Sequence, residues 1–226
     1  MLYANEGLMN AVKTAKRFAD QFPAVEKGLF FVGPPGIGKT HLSVALIRHA
    51  IEHKGATALF CDVPELLKTI RGTYNPVTKT AELDVLRPVT ESDLLVLDDL
   101  GKEKTSEWVE ETLNLIVNTR YNQKRTTIFT SNFEEREDKT DPESLLVRVG
   151  FRMHSRLYEM CDFVEFEGAD FRHRPTNAGP DDLLTMWKMN RGKPRLPNRP
   201  TGQAKAHLRN DGKADLKWSG GRAGSK

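Results

Sequence analysis

The stretch Gly28-Leu29-Phe30-Phe31-Val32-Gly33-Pro34-Pro35-Gly36-Ile37-Gly38-Lys39-Thr40 passes from an apolar run into a glycine-rich loop and ends in Lys-Thr. A short apolar run stopped by glycine predicts a buried strand. Residues 39–53 predict a helix, with Leu42, Ala45, Leu46 and His49 on one face. Between strand and helix, Gly33 to Thr40 fits the pattern GxxxxGK[ST], and that flanking context is what the pattern needs to be a phosphate cradle.

Each part has a physical task. Glycines let backbone wrap a phosphate and present N–H groups that a Cβ would obstruct. A helix opening near Gly38 turns its positive dipole end toward the same anion. Lys39 brings a point charge to the outer phosphates of a nucleoside triphosphate, and the Thr40 hydroxyl is placed to coordinate Mg²⁺. Gly33, Pro34, Pro35, Gly36, Ile37, Gly38, Lys39, Thr40 and the adjoining His41 are therefore the candidate nucleotide contacts. A glycine turn with a chance lysine is the bland alternative, and it leaves the flanking strand and helix unexplained.

Strands and helices go on alternating downstream. Residues 56–61, 94–97 (LLVL), 126–130 (TTIFT) and 163–166 (FVEF) read as strands. Residues 106–121 read as a helix with Trp108, Leu113, Ile116 and Val117 inward, and 142–160 as another. Two short helices, 64–71 and 80–86, fall between the second and third strands. This alternation predicts an α/β domain of three αβα layers around a parallel sheet.

The third strand ends in Asp98-Asp99. Ligands of parallel sheets gather at the carboxyl ends of strands, where the phosphate loop also sits. Asp98 is then placed to hold Mg²⁺ through water, and Asp99 to orient or deprotonate an attacking water. The plainer reading is an acidic turn. The fourth strand ends in Thr130-Ser131-Asn132. If that strand lies between the first and third, Asn132 helps position the lytic water; otherwise the tripeptide is a strand cap. Arg152 and Arg156 are four apart and share a helix face. Such pairs are usually solvated, but hydrolysis needs positive charge on the γ-phosphate, which a neighbouring copy can supply. Arg156 is the candidate trans-acting contact, with Arg152 second.

Charge is unevenly spread. The formal net charge is +3, yet residues 191–226 hold ten Lys and Arg against two Asp and Glu. A slightly acidic domain (1–190) is expected to carry a basic tail (191–226), rich in Gly and Pro and disordered when free. Such a tail attracts nucleic acid weakly and with steep salt dependence, or merely solubilises. A short helical stretch is expected at 181–189. With 38% apolar and 29% charged residues the composition is that of a soluble globular chain. No run approaches the roughly 18–20 apolar residues of a membrane span, and the first residues lack a secretory core. Cys61 and Cys161, far apart and without Cys or His neighbours in sequence, are expected as free thiols in a reducing cytoplasm.

Together, GLFFVGPPGIGKTHLSVAL, LLVLDDLG, TRYNQKRTTIFTSN, SRL at 155–157 and the closing FEGADFR resemble the DnaC/DnaI-type helicase loaders and the IstB-type transposition ATPases of the AAA+ class, over residues 5–172. The resemblance implies a P-loop AAA+ domain whose five-stranded parallel sheet runs in the order 5-1-4-3-2. It implies an ATP hydrolase using Mg²⁺, with ATP at the interface of a homo-oligomer: one copy supplies Lys39 and the next Arg156. It also implies single-stranded DNA near a helical insertion at 63–90, and as partner either a replicative helicase or a transposase. Lys68, Arg71, Lys79 and Tyr74 are the candidate DNA contacts, a solvated helix face being the plainer reading. The chain departs from the loader pattern twice. Loaders of the family usually carry an N-terminal domain that grips the helicase, whereas this sequence begins nearly at the ATPase core, which leaves open a fragment, a miscalled start, or a phage-like or transposon-like variant with another mode of binding its partner. No helical lid of ordinary size is expected after Phe166. Arg172 is left as the candidate second sensor arginine. A small-molecule P-loop kinase is the third reading, and the arginine pair and the polar strand tip count against it.

Overall fold

The computed structural model describes residues 6–75, 81–103, 106–136, 140–168, 170, 172, 205–208 and 214–217. Its centre is a five-stranded parallel sheet of β1 (Gly28–Val32), β2 (Ala58–Asp62), β3 (Leu94–Asp98), β4 (Thr126–Ser131) and β5 (Cys161–Glu165). The spatial order β2-β3-β4-β1-β5 is the expected one, read from the other edge. In β1 and β3 every residue is buried, because helices cover both faces and continuous apolar strands can be accommodated only there.

Alternate residues of each strand feed two separate cores. Phe30, Val32, Leu95, Leu97 and Phe129 pack with α3 (Val63–Thr73), α4 (Glu82–Glu91), α5 (Glu107–Asn122), α6 (Leu145–Val149) and α7 (Phe151–Met160). Leu29, Phe31, Leu94, Val96 and Ile128 pack on the opposite face with α1 (Glu6–Gln21) and α2 (Lys39–Lys54). The phosphate-loop helix α2 and the arginine-bearing helix α7 thus lie on opposite faces of the sheet. Local caps fix where the helices begin. The Asp62 side chain accepts from Glu65 N at the start of α3, and Ser106 Oγ accepts from Val109 N at the start of α5.

Four features differ from the expectations. Helix α1 was not foreseen; it docks through Ala11, Ala15 and Phe18, with Phe22 just beyond, a stripe at helical spacing whose alanines make it inconspicuous. On α2 the inward residues are Lys39, Ser43, Leu46 and Ala50, rotated from the predicted face because small Ser43 and Ala50 let the helix sit close to the sheet. The helix expected at 142–160 is broken at Gly150, whose φ of 79° leaves helical space. A Cβ there would also meet Glu110 Oε1 at 2.7 Å. Finally, the tail expected to be disordered contains an antiparallel pair, β6 (Lys205–Leu208) and β7 (Ala214–Lys217), with Ala206 opposite Leu216 and Leu208 opposite Ala214.

The chain divides into two compact units, Met1–Arg174 and Pro175–Lys226. The expected boundary near 190, the helical stretch at 181–189, the lid region and Lys79 lie outside the described residues. Among the described residues no helix is long and apolar enough to cross a membrane. Cys61 and Cys161 are free thiols, and burial pushes Cys61 up to about 11.

Candidate functional site

The carboxyl ends of β1, β3 and β4 converge on one cluster, since β4 lies between the other two. Beyond β1 the chain turns through Gly33, Gly36 and Gly38, with φ of 145°, 76° and 105°. Only glycine adopts such angles readily. Helix α2 follows at once, so the first buried residue of its first turn is Lys39.

Lys39 Nζ donates to Gly33 O at 2.7 Å, Pro34 O at 2.8 Å and Asn132 Oδ1 at 2.8 Å. Lys39 as a whole is only 5% exposed. Burial brings its pKa down to about 8, opposed by Asp99 and Asp98 and assisted by the nearby positive charge of Arg172. Three acceptors satisfy all three of its protons, so a charged lysine can persist in a site with little water.

Thr40 Oγ1 donates to both carboxylate oxygens of Asp98, at 3.0 and 3.1 Å. Thr130 Oγ1 donates to Asp98 Oδ1 at 2.7 Å and accepts from Asp99 N at 3.0 Å. Burial raises the Asp98 carboxyl above its ordinary value, while the Thr130 and Thr40 hydroxyls pull it back down. A hydroxyl and a carboxylate in contact, on the edge of a phosphate loop, are the hard oxygen donors that suit Mg²⁺, which keeps most of its waters and takes few protein ligands.

Asp99 stands at φ 61°, a left-handed conformation that aspartate tolerates at modest cost. Its Oδ1 accepts from Asn132 Nδ2 at 3.1 Å and its Oδ2 from Lys102 Nζ at 2.8 Å. Asn132 is thus a bridge, its carbonyl on Lys39 and its amide on Asp99. The structure brings together Lys39, Thr40, Asp98, Asp99 and Asn132, with His41 exposed beside them on α2.

Arg152 and Arg156 are elsewhere. They line a groove between α5 and α7 with Tyr121, Asn118 and Glu159. The Arg156 guanidinium lies 4.9 Å from the centroid of the Tyr121 ring, and the Tyr121 hydroxyl donates to Glu159 Oε2 at 2.5 Å. Neither arginine serves the phosphate loop of its own chain.

The insertion shows a local use for two candidate DNA contacts. Arg71 lies 4.4 Å over the Trp108 ring, and the Tyr74 hydroxyl donates to Glu82 at 3.0 Å. Both link α3 to its neighbours, although Tyr74 remains 53% exposed. Lys68 is exposed. Three residues escaped sequence reasoning. Thr130 orients Asp98; its signal was its place in the strand-tip tripeptide. Asp170 lies against Gly36, where a Cβ would collide with its carboxylate. Arg120 is fully buried and donates to Val89 O, Ser92 O, Thr126 O and Thr127 Oγ1 at 2.7–3.0 Å. It stands in the TRYNQKRTTIFTSN segment quoted for the resemblance, where no role is assigned to it.

The chain has relatives among known proteins. The family model described as IstB-like ATP binding protein matches residues 13–178. The replicative helicase loader DnaC of Buchnera aphidicola subsp. Schizaphis graminum (strain Sg) is 32% identical over 132 residues, covering 58% of this chain and 53% of that protein. DnaC of Escherichia coli (strain K12) is 31% identical over 132 residues, with the same coverage of 58% and 53%. The chain spans about half the length of the curated relatives it matches. A crystal structure of the DnaC helicase loader superposes with a TM-score of 0.65 at 33% identity, covering 74% of this chain and 94% of that one. AMPPCP-bound DnaA from Aquifex aeolicus shares the fold, with a TM-score of 0.61 at 21% identity over 85% of this chain and 55% of that one. The chain belongs to the IstB-like ATP-binding family, on a P-loop fold of the AAA+ type.

Proposed function

We propose that the chain is a Mg²⁺-dependent ATPase that assembles with copies of itself and loads a replicative helicase onto single-stranded DNA. The observation that carries the reading is the continuous network Lys39–Asn132–Asp99, joined at the same strand ends to Thr40–Asp98–Thr130. The helicase partner rests on likeness to proteins described as replicative helicase loaders.

Loop N–H groups and Lys39 bind the β- and γ-phosphates. Thr40 and Asp98 would hold Mg²⁺, which would supply positive charge to neutralise the phosphate oxygens. Asp99 takes up a proton from the lytic water, with Asn132 fixing both the carboxylate and the water's position. Arg156 of a neighbouring copy approaches the γ-phosphate, with Arg152 beside it. This explains why the two arginines face outward on α7. Lys68, Arg71 and Tyr74 lie on the insertion offered to DNA.

A second reading follows from the resemblance to IstB-type transposition ATPases, a helper that binds target DNA and recruits a transposase; the match to an IstB-like ATP binding protein family keeps it in play. ATPase rates measured with and without single-stranded DNA across a dilution series test the chemistry and the assembly together. Capture of the full chain by a replicative helicase, compared with capture by a transposase, then separates the readings. Binding to the transposase alone overturns the first.

A further inference from the structure

Beyond β5 the chain does not leave the site. Phe166 N donates to Val32 O at 2.7 Å, carrying the β5 pairing one residue past the strand end. At Gly33, where φ is 145°, a Cβ would collide with Phe166 O. Four residues further on, Asp170 turns back. Its Oδ1 accepts from Arg172 N at 2.8 Å, and its carboxylate fills the space that a Cβ on Gly36 would take. The segment thus touches the phosphate loop at two of its three positive-φ glycines. Arg172 lies close enough to Lys39 to lower its pKa.

The two charges of this segment bear oppositely on a nucleotide. Glycine at 36 leaves the loop backbone bare on the side where an anion can approach. In this structure a carboxylate of the same chain holds that approach. A triphosphate and a carboxylate on one small loop repel each other, and with Asp170 only half-buried that repulsion is open to screening by salt. Arg172, beside Lys39, attracts the same phosphates.

We propose that Asp170 is a gate on the phosphate loop: its carboxylate occupies the approach at Gly36, and a nucleotide's phosphates must displace it to seat fully. This rests on the nucleotide-binding reading of residues 33–40. Occupancy of the loop is thereby coupled to the position of Asp170 and Arg172, the last described residues of the first compact unit. Binding of ATP releases Asp170 from Gly36 and leaves Arg172 facing the phosphates.

The test is equilibrium binding of a fluorescent ATP analogue with Mg²⁺ to the full chain, its D170N and D170A variants, and each combined with K39A. Removing the charge tightens nucleotide affinity about fivefold at low salt, and the gain shrinks at high ionic strength as the repulsion is screened. D170N keeps the shape of the side chain and D170A removes it, so tightening in both marks the charge. Thermal melting checks that each variant is folded. Lys39-dependent binding that D170N leaves equal or weaker overturns the gate alone. If neither the parent chain nor D170N binds in a Lys39-dependent manner, the nucleotide reading falls and the gate with it. Binding that appears only once Asp170 is neutralised supports both.

Discussion

The strand-end cluster and the α5–α7 groove both hold charged side chains, but they are built to opposite rules. At the strand ends the charges are closed on one another, with Lys39 and Asp98 buried: Lys39 has three acceptors, and Asp98 and Asp99 each have two donors. In the groove Arg152 is exposed, and Arg156 meets an aromatic face rather than a carboxylate. The charges of the first region find their partners within one chain. On the proposed function the second is a half-site, whose arginines gain a strong partner when another copy arrives. A buried charge left unpaired costs several kcal/mol, so an arginine meant for another chain has to wait at the surface.

The sharpest way to break this comparison is Arg156→Ala. Turnover of the assembled protein should fall by roughly 10³-fold, the low end of what a trans arginine supplies, while nucleotide affinity and melting temperature stay close to the parent. A steady-state ATPase assay over a dilution series checks it. Rates per chain that do not vary with concentration would mean that no second copy contributes. Next is Asp99→Asn. It retains the shape and the contact with Asn132 but loses the base, and turnover should drop by about 10²-fold or more with ATP affinity preserved. Undiminished hydrolysis would take Asp99 out of the mechanism.

Sequence and structure agree where chemistry forces a residue type. The loop 33–40, the carboxylates 98–99 and the tip at Asn132 were legible because glycine torsions, a phosphate-directed lysine and strand-end acids have few substitutes. The strand order followed from the resemblance. What stayed hidden depends on the third dimension. Helix α1 buries a stripe in which two of three residues are alanine, and the break at Gly150 joins a positive φ to a close approach by Glu110 on another helix. The contact of Asp170 with Gly36 spans more than a hundred residues of chain. Arg120 looked like any helical cation, and became a core residue only because the ends of α4 and β4 present carbonyls to it.

Arg120 sharpens the comparison from the side of stability. It is 0% exposed, and its donors end on backbone carbonyls and on Thr127 and Ser92 hydroxyls rather than on a carboxylate. Burial draws its pKa down to about 10, so it stays charged at neutral pH. Arg120→Met would orphan these carbonyls and destabilise the fold by about 3 kcal/mol. Arg156→Ala should cost well under 1 kcal/mol. Denaturant melts of the two variants decide whether buried and surface arginines really differ as the comparison requires. Equal losses would show Arg156 to be structural.

The smallest effect expected is a fraction of a proton. With a pKa of about 8 before nucleotide binds, Lys39 is half protonated at pH 8. Its pKa is depressed in the folded chain, so its contribution to stability is fully present above its unfolded value and is lost as pH falls through 8. At neutral pH the bare ammonium is therefore a cost to the fold. Phosphates beside it reverse the sign: they favour the charged form and raise the pKa. ATP binding should then take up about half a proton at pH 8, almost none near pH 6.5 and most of one near pH 9. Affinity should weaken as pH climbs through that range. Calorimetry in buffers of different ionisation enthalpy measures the uptake directly, and Lys39→Arg, which cannot lose its proton in this range, should abolish it. Uptake that persists in that variant would place the titrating group elsewhere and leave Lys39 fully charged from the start.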